Sequence, residues 1–152
     1  MSHRVLGPMF HGTSIEAADG ILASGSRVSH SGRWGGGFYV TPSPILAGTY
    51  ARAGSSWDQP PPDEPTVLEG TVDAKNPRHF KDYEEAESYL GERGYKPHEV
   101  HRMGELLEEE GHDFFSVGGT NPFGVVLKDG AFHPKRMMEP DWNNQGPWTD
   151  LT

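Results

Sequence analysis

The chain has 152 residues, which suits one domain with one core, and its 22 acidic against 13 basic residues give a formal charge of −9. Its basic residues are scattered, so there is no stripe to neutralise a run of phosphates, and duplex nucleic acid is not an expected partner. Cysteine is absent, which excludes disulfides, thiolate metal sites and cysteine nucleophiles, while a hydrophobic share of 34% with 20 glycines and 13 prolines points to a loop-rich, sheet-based fold.

In chain order, Gly7 to Gly12 reads as a short strand running into a tight turn. Thr13-Ser14-Ile15-Glu16 then has capping-box spacing, with the Thr13 hydroxyl and the Glu16 carboxylate each satisfying a free N–H at a helix start. Ile15, Ala18, Ile21 and Leu22 fall on one face, and Gly25 stands where a helix stop is wanted, so a helix of about two to three turns is expected. The following segment is polar and ends in Trp34-Gly35-Gly36-Gly37, where consecutive glycines let the backbone pass close to a ligand or another strand. Phe38 to Val40 is apolar, and Pro44 to Ala51 suits a helix with proline in its first turn.

Residues 53–65 form a Gly/Ser/Pro/Asp-rich loop, followed by a central strand over Thr66 to Val72 that Asn76-Pro77 stops. Helices are expected from Tyr83 to Leu90 and from Pro97 to Glu110, the second with an apolar stripe of Val100, Met103 and Leu107 and with Gly111 as its stop. Phe123 to Leu127 reads as a strand and Asp129-Gly130 as a hairpin turn. One domain over 1–138 is therefore expected, with 139–152, including Trp142 and Trp148, as an extended tail. The N-terminus lacks the apolar centre of a signal peptide, and no run approaches the roughly 18 apolar residues of a membrane span. The expectation is a soluble, cytoplasmic chain with no membrane partner, or one delivered into a target cell by a route the sequence does not display.

Taken singly, the chemical signals are weak. A lone histidine in a turn is usually structural. The glycine run matches neither the phosphate-binding loop nor the dinucleotide fingerprint. His98 and His101 are three residues apart, which is not zinc-protease spacing, and no metal is expected.

Order and spacing carry more. Phe10-His11-Gly12-Thr13, a short helix closed by Gly25, Gly35-Gly36-Gly37-Phe38-Tyr39-Val40-Thr41, and Ala47-Gly48-Thr49-Tyr50-Ala51 together resemble the first half of the diphtheria-toxin and poly-ADP-ribose-polymerase type of ADP-ribosyltransferase. The family shows His-Gly-Ser/Thr, then Gly-x-Gly-x-Tyr-Phe, then a small residue and a tyrosine on the next helix. Val67 to Pro77 resembles the middle strand of polyvalent phage and mobile-element relatives, while Gly111 to Phe115 and Asn121 to Val126 resemble the closing strands, so coverage runs from Gly7 to Met138.

The resemblance implies an α+β fold of two small, mostly antiparallel sheets packed together with flanking helices and an NAD⁺ cleft between them. It implies NAD⁺ as co-substrate, bound by His11, Gly12, Thr13, Arg27, Gly37, Phe38, Tyr39 and Tyr50. Tyr39 and Tyr50 would offer flat faces to nicotinamide, backbone groups of Gly12 would bond its carboxamide, and His11 would bond the adenine-side ribose. Thr13 and Arg27 would lie near sugar or phosphate.

Cleaving the nicotinamide bond develops oxocarbenium character, which a carboxylate stabilises. The family's glutamate opens the strand that here begins at Asn121-Pro122-Phe123, and its position matches Pro122. Asp73, Asp82, Asp113 and Glu69 are the alternatives, with Asp113 ranked first beside His11 and Tyr39 as a catalytic residue. The implied activity is mono-ADP-ribosyl transfer to a protein, nucleic-acid or small-molecule acceptor. NAD⁺ hydrolysis and a binding module without turnover are the alternatives. RNA 2′-phosphotransferases share the opening His-Gly-Thr, but no basic cluster is present to hold a phosphorylated RNA end.

Overall fold

The computed structural model describes residues 4–29, 32–53, 65–139 and 149–150. In order, the elements are β1 (Arg4–Ser14), α1 (Ile15–Ser24), β2 (Phe38–Val40), α2 (Pro44–Ala53), β3 (Pro65–Ala74), β4 (Pro77–Phe80) and α3 (Tyr83–Glu92). A 3-10 helix (Pro97–Arg102), α4 (Met103–Glu109), β5 (Phe114–Val117), β6 (Phe123–Val126), β7 (Phe132–Glu139) and β8 (Thr149–Asp150) complete it. The fold is α+β, with strand orders β1-β3-β7-β8 in one sheet and β2-β6-β5-β4 in the other. Every neighbouring pair is antiparallel except β4–β5. A parallel pair needs a long crossover, which α3, the 3-10 helix and α4 supply. Among the described residues, no helix is long and apolar enough to cross a membrane.

Alternation along the strands builds two large cores and a smaller cluster of Phe10, Ala47, Val67 and Met138. Phe38, Val40, Phe114 and Val126 face Leu68, Val72 and Phe132 of the other sheet, closing the layer between the sheets. Phe115, Val117 and Val125 point the opposite way, onto Trp34, Leu90, Met103 and Leu107. Phe10 and Thr41 tie β1 to β2 through reciprocal backbone bonds of 2.8 and 2.9 Å, so the two sheets meet at the residue before His11.

Several expectations shift. No turn follows Gly12: β1 continues to Ser14 because Thr13 and Ser14 still pair with Thr66 and Pro65 of β3, and Ser14 caps α1 by accepting from the Ala17 N–H at 3.2 Å. Residues 97–110 are not one α-helix. A 3-10 turn with non-helical angles at Glu99 precedes α4, and the Glu99 carboxylate accepts from the Lys96 N–H at 2.9 Å. Asp129-Gly130 is a turn but not a hairpin. Strand β6 is already flanked by β2 and β5, so the chain crosses to the other sheet, where β7 pairs with β3. The tail contributes β8, paired with the end of β7 at Met138 and Glu139, whereas Trp142 and Trp148 lie outside the described residues.

Candidate functional site

A cavity of about 550 Å³ opens between the end of β1, one face of α1, the residues Gly25, Arg27, Ser29 and Gly37, and β2. Ligand clefts span roughly 300–1,000 Å³. His11, Thr13, Arg27, Gly37, Phe38 and Tyr39, singled out from the sequence, all line it. The sequence reading missed Ala17, Gly20, Ile21 and Ser24 of α1, and Ser29. Their signal was available: small residues recurring at helical spacing, where a side chain added at Gly20 would meet open space.

His11 is held from two sides. Its ring stacks on Phe38 with centroids 4.0 Å apart and 23° between planes, and its Nδ1 lies 2.6 Å from the Tyr39 carbonyl oxygen. A carbonyl only accepts, so Nδ1 carries the proton and donates. Burial lowers the imidazole pKa to about 4 against the raising effect of that bond, which leaves the ring neutral at pH 7 with Nε2 as an acceptor.

Tyr39 is committed at both ends. Its ring stacks on Phe123 at 6.4 Å and 18°, and its hydroxyl donates to the Gly35 carbonyl at 2.7 Å while accepting from the Trp34 N–H at 2.9 Å. Burial pushes the phenol up to about 12, past the lowering effect of the Trp34 bond. The glycine run is committed too, because a Cβ on Gly35 would lie 2.7 Å from the His101 carbonyl in the 3-10 helix that leads into α4.

The remaining candidates do not join the cavity. Gly12 is where α2 packs onto β1, and a Cβ there would strike the Ala47 carbonyl. Tyr50 is 47% accessible on α2 and lines no part of the cavity, so the expected pair of tyrosine faces is not assembled around it. Asp113 has both carboxylate oxygens engaged, accepting from the N–H groups of Lys75 at 2.7 Å and Asn76 at 2.9 Å, which shapes the turn from β3 to β4. Asp113 lies beside the closing strands, directly before β5, but does not line the cavity.

The other carboxylates are also accounted for. Glu69 pairs with Arg136 at 2.7 Å, Asp82 caps α3, and Asp73 sits on β3 opposite Val5. None lines the cavity. Pro122 precedes β6, which opens at Phe123, and its carbonyl accepts from the Thr41 hydroxyl at 2.8 Å. A smaller cavity of about 410 Å³ lies on the far side of the same segment, against His101, Gly104, Glu105 and Glu108.

Among the described lining residues of the larger cavity, Arg27 is the one permanently charged group, so the wall is largely apolar, with a single cation and without a carboxylate. Such a wall suits an anionic ligand bearing a flat ring and hydroxyls. Against known proteins, no family model matches the chain and no curated protein matches its sequence.

Proposed function

We propose that the chain is an NAD⁺-dependent protein of the ADP-ribosyltransferase type, which takes the ADP-ribose half of NAD⁺ into the cavity between β1, α1 and β2 and transfers it to an acceptor. The carrying observation is the cavity wall itself: in a chain of net charge −9, it presents a guanidinium, a neutral imidazole and small residues with no described carboxylate. Arg27 suits a diphosphate, for which a fork of N–H donors is matched to the oxygens. His11 Nε2 can accept from a ribose hydroxyl, and the small face of α1 leaves room for a flat base. In the transfer, the bond between the ribose anomeric carbon and the nicotinamide nitrogen breaks, nicotinamide leaves with the electron pair, and an acceptor nucleophile forms the new bond.

A second reading, recognition of NAD⁺ or ADP-ribose without turnover, is favoured by the same wall. With Asp113 tied into a turn and no described carboxylate at the cavity, the oxocarbenium-like transition state lacks its stabilising charge. Calorimetry with NAD⁺, ADP-ribose and nicotinamide tests the binding common to both. ADP-ribose is expected to keep most of the affinity of NAD⁺, and nicotinamide alone little. Failure of both NAD⁺ and ADP-ribose to bind would remove the proposal. Nicotinamide release in the presence of candidate acceptors then separates transferase from binding module.

A further inference from the structure

Residues 25–29 form one wall of the cavity without any helix or strand of their own, yet they are pinned from a distant part of the chain. The Val28 N–H donates to the Asp129 carboxylate at 2.7 Å across 101 residues of sequence. The Gly130 N–H donates to the Ser26 carbonyl at 2.8 Å, and the Phe132 N–H to the Ser26 hydroxyl at 3.3 Å. Ser26 is 2% accessible, so its two acceptors are withdrawn from water and their partners matter. On the other side, Ser29 exchanges backbone bonds of 3.1 Å with Gly37, and its hydroxyl donates to the Gly37 carbonyl at 2.8 Å. Arg27 is thus bracketed by residues whose backbone is fixed, while its own exposed side chain stands on the cavity wall.

We infer that the turn between β6 and β7 sets the position of Arg27, and that Asp129 is a positioning residue for the anionic end of the ligand. The inference rests on the reading that this cavity takes the ADP-ribose half of NAD⁺. The Asp129 carboxylate reaches the ligand only through the backbone it holds. Removing it frees the Val28 N–H to water and lets the Arg27 backbone wander, while Phe132 and Trp34 keep both cores closed. Preorganisation of a cation is worth most for a charged group and little for an uncharged one.

The test uses the full chain and two probes, ADP-ribose and adenosine, with dissociation constants from calorimetry and thermal midpoints as the control for folding. Asp129→Ala is expected to weaken ADP-ribose about tenfold and adenosine less than twofold. Asp129→Asn, which keeps an oxygen acceptor for the Val28 N–H, is expected to stay within about twofold of the parent for both. Arg27→Ala should copy the selective loss, and adding Asp129→Ala to it should cost little more, because both act through one contact. If the alanine variant does not fold, Asp129→Ser, whose side chain is too short to span the gap, serves in its place. Equal loss for both probes, or none, with a parent protein that binds ADP-ribose, would overturn the positioning role alone. A parent that binds neither probe would overturn the cavity reading and this inference with it.

Discussion

The segment joining α1 to β2 has two ends that are held by different physics. At one end Trp34 is 2% accessible and packs on Tyr83, Phe115 and Phe123, with centroids 5.1, 6.5 and 5.4 Å away. Its carbonyl accepts from the Gly104 N–H at 2.9 Å, which docks α4 against the glycine run. At the other end Arg27 and Ser29 are exposed, and hydrogen bonds rather than buried area keep that stretch in place. Large apolar side chains close space, whereas backbone bonds hold a wall while leaving the space beside it open. A cavity in a small domain therefore sits where the polar mode takes over.

The strongest way to break this contrast is Trp34→Ala. Deleting a buried indole from a packed core typically costs about 3–5 kcal/mol, a large fraction of a small domain's stability. Urea unfolding should show that loss. A cost below about 1 kcal/mol would mean that the Trp34 end is no more firmly held than the Arg27 end.

Next in size is the missing acid. Side chains alternate along β6, which places Phe123 on the Tyr39 side of the sheet, whereas Pro122 lies before the strand. Phe123→Glu is expected to raise nicotinamide release by about 10²-fold if a carboxylate beside Tyr39 is what the site lacks. Phe123→Gln controls for lost packing, and Pro122→Glu should raise release less. Equal rates in all three variants would show that the chemistry does not depend on this strand.

Gly20→Leu separates the two modes with opposite signs. Nothing lies within 4 Å of a Cβ at Gly20, so the folded chain accepts the side chain, and replacing a helical glycine gains about 0.5–1 kcal/mol. The same side chain intrudes on the cavity, so NAD⁺ affinity should fall about tenfold as the thermal midpoint rises. Unchanged affinity would move the ligand elsewhere, the smaller cavity behind the segment being the first alternative.

What could be read from the sequence follows the range of the interactions. The start of α2, the core strand β3 and the presence of α1 were legible because proline, apolar runs and helical spacing are local. The cap of α1 was misplaced by one residue because Thr13 stays in register with Thr66, a partner far along the chain. Strand β7 carries Pro134 and several charges and is a strand through its pairing with β3, which no local pattern announces. The Asp129-Gly130 turn was visible, but which strand it led to was not. At the site, the residues brought together sit on β1, β2 and the segment between α1 and β2, close in sequence and in space. Gly12, Tyr50 and Asp113 are the candidates the cavity leaves out: Gly12 lies under α2, and the other two sit on later parts of the chain.

Asp113 gives the smallest expected effect and the sharpest check on that last point. Its two oxygens hold the N–H groups of Lys75 and Asn76, and its own carbonyl accepts from the Leu127 N–H at 2.9 Å, so it joins the β3–β4 turn to the end of β6. Asp113→Asn keeps one acceptor oxygen and turns the other into a donor facing a donor, which should cost about 1 kcal/mol in a partly exposed turn. Nothing in that change reaches the cavity wall, so NAD⁺ affinity and any nicotinamide release should match the parent within about twofold once folding is corrected for. Loss of release at unchanged affinity and stability would instead return Asp113 to the chemistry, and would require the β3–β4 turn to open before the reaction proceeds.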